Sequence, residues 1–386
     1  MPAFTGTLNT NEMYAGLFNA YRLIKTIADN LDAVDTSLAS KYRSDGGMYH
    51  DKSVFTDMDI VSSREWDPTD TNVLEPEAKV APVQQEIVVN QKRQIGLYSE
   101  NYLTKRAWMD VSAFEAFNSV VQQQVGNTKK VYEQRLVDVF VGTTVTEKGK
   151  QSQTVDITTS VGETTGEEKN RLTAQVIAQK IADIEIDLKD STRDYNDYGF
   201  MKAFNSGDFD IVWNASYANM ITKLDLPTIF HKDGLFKGGT LLPARYFGTQ
   251  SGVATADGTT HRAMDEYKIT VGPDGKYLKT GTKIVNVFPG DLLPESTPVV
   301  QAGTALTTRK VTGTNTQVYD TVYSYKADAK VICKIIHKDA VKYLSSFETS
   351  TEFWNPKNLS TNRYLTWMFA SPDRLYAYPY ITLKEA

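Results

Sequence analysis

Two β-branched, apolar runs, Val54 to Val61 and Val83 to Val89, flank an acidic stretch punctuated by Pro68, Pro76 and Pro82. Such runs predict strands, and the stretch between them predicts their connection, so residues 51–92 read as one long hairpin. A lone two-stranded hairpin is marginal in water. This one has to lie on something, either its own body or a second molecule. Residues 51 to 91 hold nine Asp/Glu against three Lys/Arg, a net charge of −6 in a 386-residue chain of net −5, so everything outside those residues sums to +1.

The rest of the chain supplies a body. It is 41% hydrophobic and 23% charged, ordinary for a globular protein able to bury a sizeable core. In residues 1–31, Asn9 and Glu12 have capping-box spacing, and Met13, Leu17, Tyr21, Ile24, Ala28 and Leu31 make one helical face. The strongest helical signal covers 113–141. Ser112 and Glu115 form a second capping box, and Phe114, Phe117, Val121, Val125, Val131, Tyr132, Leu136, Val139 and Phe140 form the stripe. Unbroken, that helix would be about 40 Å long at the usual rise. Gly126 is where it is predicted to kink or stop.

A second amphipathic helix is predicted over 171–189. A short strand over 208–213 follows, then a helix capped by Asn214 or Ser216 and stopped by Pro227. Between 230 and 330, Asp233-Gly234, Asp257-Gly258 and Pro273-Asp274-Gly275 predict hairpin turns. From Lys330 onward apolar strands return, with a turn at Ser371-Pro372-Asp373. The mixture predicts an α+β fold.

Chemistry is hard to find. The four histidines, His50, His231, His261 and His337, are too scattered for a local metal motif. Asp194 to Gly199 has the look of a calcium loop but puts Tyr198 at a ligand position and Asn205 where a bidentate Glu belongs. Gly162 to Lys169 is no phosphate loop, because its Lys is misplaced and two acids would repel phosphate; it reads as a loop. The one cysteine, Cys333, lies among apolar neighbours and can form neither an internal disulfide nor a thiolate zinc site. No catalytic, cofactor or metal residue is assigned. The near-neutral balance disfavours a dedicated nucleic-acid binder. No apolar run reaches the ~18 residues of a membrane helix, and the opening Met-Pro-Ala-Phe-Thr-Gly lacks the form of a signal peptide.

Four stretches carry a family resemblance. Arg93-Gln-Ile-Gly-Leu-Tyr-Ser-Glu-Asn-Tyr-Leu-Thr with Ala113-Phe-Glu-Ala-Phe-Asn-Ser-Val-Val resembles the passage from an extended loop into a spine helix. Tyr132-Glu-Gln-Arg-Leu-Val-Asp-Val-Phe resembles the end of that helix. Asp210-Ile-Val-Trp-Asn-Ala-Ser-Tyr-Ala-Asn-Met resembles an axial-domain strand and helix, and the segment from Phe353 to Trp367 is similar to a C-terminal stretch. The family is the tailed-bacteriophage major capsid protein of HK-ninety-seven-like fold, closest in layout to small podoviruses of the phi-twenty-nine-like group. The likeness covers most of 50–386 and is least over 231–330.

The resemblance implies an N-terminal arm and helix in 1–50 and an extended hairpin, the E-loop, in 51–92. It implies a peripheral domain with a spine helix in 93–150, an axial domain with a β-rich insertion in 151–330, and C-terminal strands returning to the peripheral domain in 331–386. No additional immunoglobulin-like module is expected after the last strand. It implies a shell of pentamers and hexamers around double-stranded DNA in loose contact, with a portal and a separate scaffolding protein as partners. The chain would assemble in the host bacterial cytoplasm and reside in the virion, with neither membrane nor enzymatic role. The acidity of the arm further predicts inter-subunit contacts from Asp57, Asp59, Glu65, Asp67, Asp70, Glu75 and Glu77 to Lys129, Lys130 and Arg135 of a neighbour. Another phage structural protein, tail or portal, and a carbohydrate hydrolase using carboxylates and the C-terminal aromatics stay open as alternatives.

Overall fold

The computed structural model describes residues 37–61, 63, 65, 69, 81–100, 111–157, 161–162, 165–222, 239–249, 330–357 and 359–386, and the short strands between 253 and 327 named below. The helix predicted in 1–31 and the turn at Asp233-Gly234 lie outside the described residues. Helices α1 (Ser37–Tyr42), α2 (Val111–Thr143), α3 (Gly166–Lys189) and α4 (Ala215–Thr222) alternate with strands, giving the mixed class read from the sequence.

The first sheet runs in the order β1 (Arg43–Ser44), β9 (Val341–Asn355), β10 (Ser360–Phe369), β4 (Gln91–Glu100), and β11 (Asp373–Arg374) pairs with the start of β9. The second runs β5 (Ser152–Val155), β12 (Tyr380–Glu385), β8 (Val331–His337), β6 (Phe209–Asn214), β7 (Gly239–Leu242). The strands of 331–386 therefore divide. β9 and β10 serve the first sheet, while β8 and β12 complete the second between strands drawn from 152–242. A separate hairpin pairs β2 (Lys52–Asp57) with β3 (Val83–Val88), with Phe55 opposite Gln85.

The long helix is one piece. Val111–Thr143 spans 33 residues, about 50 Å at 1.5 Å per residue. Gly126 does not end it; a side chain there would have open space. A lone glycine costs helix propensity but removes no backbone hydrogen bond, so neighbouring turns carry the helix across. Ser112 lies inside the first turn, so it is not the cap its spacing suggested. Tyr132, Leu136 and Phe140 recur at helical intervals and are buried with Trp367, Phe369 and Tyr380 in one core. At the far end Gly142 meets the turn Ala244–Tyr246 so closely that a Cβ would stand 2.0 Å from the Tyr246 carbonyl oxygen.

Helix α3 starts earlier than its apolar stripe. Gly166 to Lys169, read from sequence as loop, forms the first turn, with Glu167 and Glu168 against the positive end of the helix dipole. Ala174, Ile177, Ile181, Ile184 and Leu188 bury one face against Ile211, Ile332, Ile335, Ile381 and Leu383 of the second sheet. Every residue of β8 is buried. Its two faces serve two cores, one with α3 and one with the end of α2. Asn214 caps α4 as predicted, accepting the Ser216 N–H at 3.1 Å. Val253–Ala254 pairs antiparallel with Thr260–His261, and Tyr267–Val271 with Tyr277–Leu278; the turn residues expected between them, Asp257-Gly258 and Pro273-Asp274-Gly275, lie outside the described residues.

Candidate functional site

The hairpin leaves the body through a seam that is apolar at one end and polar at the other. β2 alternates exposed and half-buried positions, as a strand with one covered face must. Ile87 is buried with Leu344, Ala370 and Leu375, and Phe55 packs onto this cluster. Beside it Gln85 uses both ends of its amide. Its Nε2 donates to the Arg374 carbonyl at 2.8 Å, and its Oε1 accepts the Tyr376 N–H at 3.0 Å. The site it grips is braced by a nearly dry ion pair between Arg374 and Asp197, whose side chains are 12% and 7% exposed. Gln151 Nε2 donates to Asp197 at 2.7 Å, and the Asp197 N–H donates to the Tyr376 carbonyl at 2.9 Å.

Further out the seam is ionic. Asp57 accepts from Lys202 Nζ at 2.5 Å, and that ammonium also lies 5.4 Å from the Tyr378 ring centroid. Asp59 takes Arg193 Nη1 at 2.5 Å and the Met201 N–H at 2.9 Å. The Arg193 hydrogen bond, then the Met201 N–H, hold the Asp59 carboxyl below its usual range. A cleft of about 390 Å³ runs along this seam, lined by Phe55, Gln85, Tyr198, Lys342 and Tyr378 among others. Beyond the seam the apolar side chains of Met58, Ile60 and Val61 are 55–64% exposed.

Of the acids singled out from sequence, Asp57 and Asp59 stand in this seam and Glu65 is exposed. Asp67, Asp70, Glu75 and Glu77 lie outside the described residues. On α2, Lys130 is exposed and Arg135 half-buried. Lys129 is buried and donates to Glu348 of β9 at 2.6 Å, with Glu133 at 3.8 Å. The residues sequence reasoning missed are the receptors on the body: Arg193, Met201, Lys202, Arg374 and Tyr376. Arg193 adjoins the polar loop already noted, but nothing local ties it to a carboxylate 134 positions earlier.

Reactive groups elsewhere are shut in. Burial pushes the Cys333 thiol far up, and the residue is fully covered. Burial likewise pulls Lys334 well down, and its Nζ donates to the Thr144 carbonyl at 2.5 Å just past the end of α2. Among the described residues there is no group of three or more His, Cys, Asp or Glu that could hold a metal ion, and no helix long and apolar enough to cross a membrane.

No family model and no curated protein matches the sequence. Solved structures do. A chain of the capsid structure of Staphylococcus phage Andhra superposes with a TM-score of 0.57 at 9% identity, covering 100% of this chain and 88% of that one. A chain of the structure of head fiber and inner core protein gp22 of native bacteriophage P68 gives 0.54 at 10% identity, with the same coverages. At such identity the likeness is one of fold: this chain is built on the fold of a chain found in a phage capsid structure.

Proposed function

We propose that this chain is a major capsid protein that self-assembles into the icosahedral head enclosing phage double-stranded DNA. The observation that carries the reading is a fold shared along the full chain with a protein of a phage capsid. Fold alone does not dictate function. The exposed apolar run on a projecting hairpin adds to it, because a monomer gains nothing from leaving Met58, Ile60 and Val61 in water.

In this reading α2 is the spine helix and residues 51–92 are the E-loop. The peripheral domain gathers residues 93–150 with the long β9–β10 hairpin. The axial domain, 151–330 with its β-rich insertion, is completed by β8 and β12. Identical subunits form pentamers and hexamers that bury apolar surface against one another, and closed symmetry ends growth. Many weak contacts give a stable particle while single contacts stay reversible. A portal and a separate scaffolding protein are the implied partners, assembly takes place in the host cytoplasm, and the near-neutral body lets packed DNA remain in loose contact.

The arm's acids then divide by role. Asp57 and Asp59 serve their own subunit. Glu65, Asp67, Asp70, Glu75 and Glu77 are left to meet a neighbour, with exposed Lys130 and half-buried Arg135 as candidate counter-charges and Lys129 as a buried support for that face. Changing all five acids to Lys should abolish closed particles in electron micrographs while circular dichroism of the soluble subunits stays unchanged. Normal particles from that variant would overturn the electrostatic arm.

A further inference from the structure

The hairpin is fastened twice, and the two fastenings differ in kind. The inner one is mostly apolar and buried: Ile87 and, half-buried, Phe55 on the Leu344 cluster, and the Gln85 amide locked into the Arg374–Tyr376 backbone. The outer one is ionic. It joins Asp57 and Asp59 to the short stretch 193–202.

That stretch is a built receptor. Thr192 and Lys202 exchange backbone hydrogen bonds at 3.0 Å in both directions. Asn196 closes the loop between them, donating Nδ2 to the Phe200 carbonyl at 2.6 Å and accepting the Phe200 N–H at 2.8 Å. Arg193 Nη1 also donates to the Gly199 carbonyl at 2.8 Å, which aims its guanidinium outward at Asp59. None of these hydrogen bonds involves the arm, so they can order the receptor without it and leave little ordering entropy to be spent on docking. The four ionic side chains keep 20–48% exposure. Pairs at such exposure are screened by salt and open easily.

We propose that the Asp57–Lys202 and Asp59–Arg193 pairs are a releasable latch that fixes the angle of the hairpin on its own subunit. The hairpin pivots on the Gln85–Ile87 anchor when the latch opens. Closed, the latch points the exposed Met58–Val61 run in one direction; open, it frees that run to seek another surface. The latch is a property of the single subunit, and only its consequence for shell assembly rests on the function proposed above.

Pulsed electron paramagnetic resonance of the full chain tests this. Cys333 is buried, so spin labels go only to introduced cysteines. The pair S63C/S191C reports the outer hairpin against the receptor loop; the pair N90C/S191C reports the inner anchor. With the native latch both distance distributions should be narrow. In D57N/D59N the first should at least double in width while the second stays narrow. In D57K it should widen too, and the charge swap D57K/K202D should narrow it again. An unchanged first distribution in D57N/D59N, equal widening of both, or no recovery in the swap would overturn the latch. Failure of the unaltered chain to form particles would overturn the capsid reading and leave the latch standing.

Discussion

The seam between α2 and the sheets and the seam between the hairpin and the body are built from opposite materials. In the first, Tyr132, Leu136, Phe140, Trp367 and Phe369 exclude water. The open carbonyls at the end of the helix are met from the second sheet, with Tyr380 Oη donating to Val141 at 2.7 Å and Lys334 Nζ to Thr144 at 2.5 Å. In the second seam one small apolar cluster is followed by directional polar contacts. Burial is strong and non-directional, so it makes a body that holds one shape. Partly exposed ion pairs are weak in energy and specific in geometry, so they set an angle that can change at small cost.

Substitutions sharpen this contrast, beginning with the largest effect. Phe369 is 1% exposed at the centre of the first seam, and Phe369→Ala should destabilise by about 3–5 kcal/mol in urea unfolding. A loss under about 1 kcal/mol would show that the seam is not close-packed. Arg374→Met leaves Asp197 charged and nearly dry, and should cost about 3 kcal/mol in the same assay. Gly142→Ala drives a methyl group into the Tyr246 carbonyl, and overpacking of this kind should cost about 1–3 kcal/mol.

Acid should act through His337. It is buried, stacked at 4.6 Å on Tyr378, and its Nδ1 accepts the Asp339 N–H at 3.1 Å. Burial holds its pKa below the ordinary value, against the opposing pull of Asp339 and Asp208. The unfolded chain therefore binds this proton more readily than the folded one. Stability is full above about pH 6.5 and declines as pH falls below it. Urea midpoints at pH 7.5, 6.5 and 5.5 should fall in that order, and His337→Phe should flatten the trend. The smallest stability effect belongs to Lys202→Met, under about 1 kcal/mol. A loss several times larger would mean that the hairpin seam is part of the core, and the contrast between the two seams would fail.

Local pattern carried the sequence reading a long way. The paired strands of the hairpin, the Tyr132–Leu136–Phe140 part of the α2 stripe and the Asn214 cap are each set by neighbours within a few residues, and each is found where its spacing puts it. The missing knowledge was pairing at a distance. β8 and β12 stand side by side between strands from the middle of the chain, and nothing in their composition distinguishes that place from one beside β9. The latch joins positions 145 and 134 residues apart, beyond any periodic signal. Lys129 was partly legible. It precedes Tyr132, Leu136 and Phe140 by three, seven and eleven residues, on the same helical face, so its turn toward Glu348 follows from the stripe itself.

Sedimentation velocity of the purified full chain over a rising concentration series, with electron microscopy of each fraction, tests the central claim most directly. A shell subunit should convert above a threshold concentration from slow single subunits to fast particles, closed and of uniform diameter. A chain that stays a monomer or small oligomer at every concentration, with no closed particle in any fraction, would contradict the account.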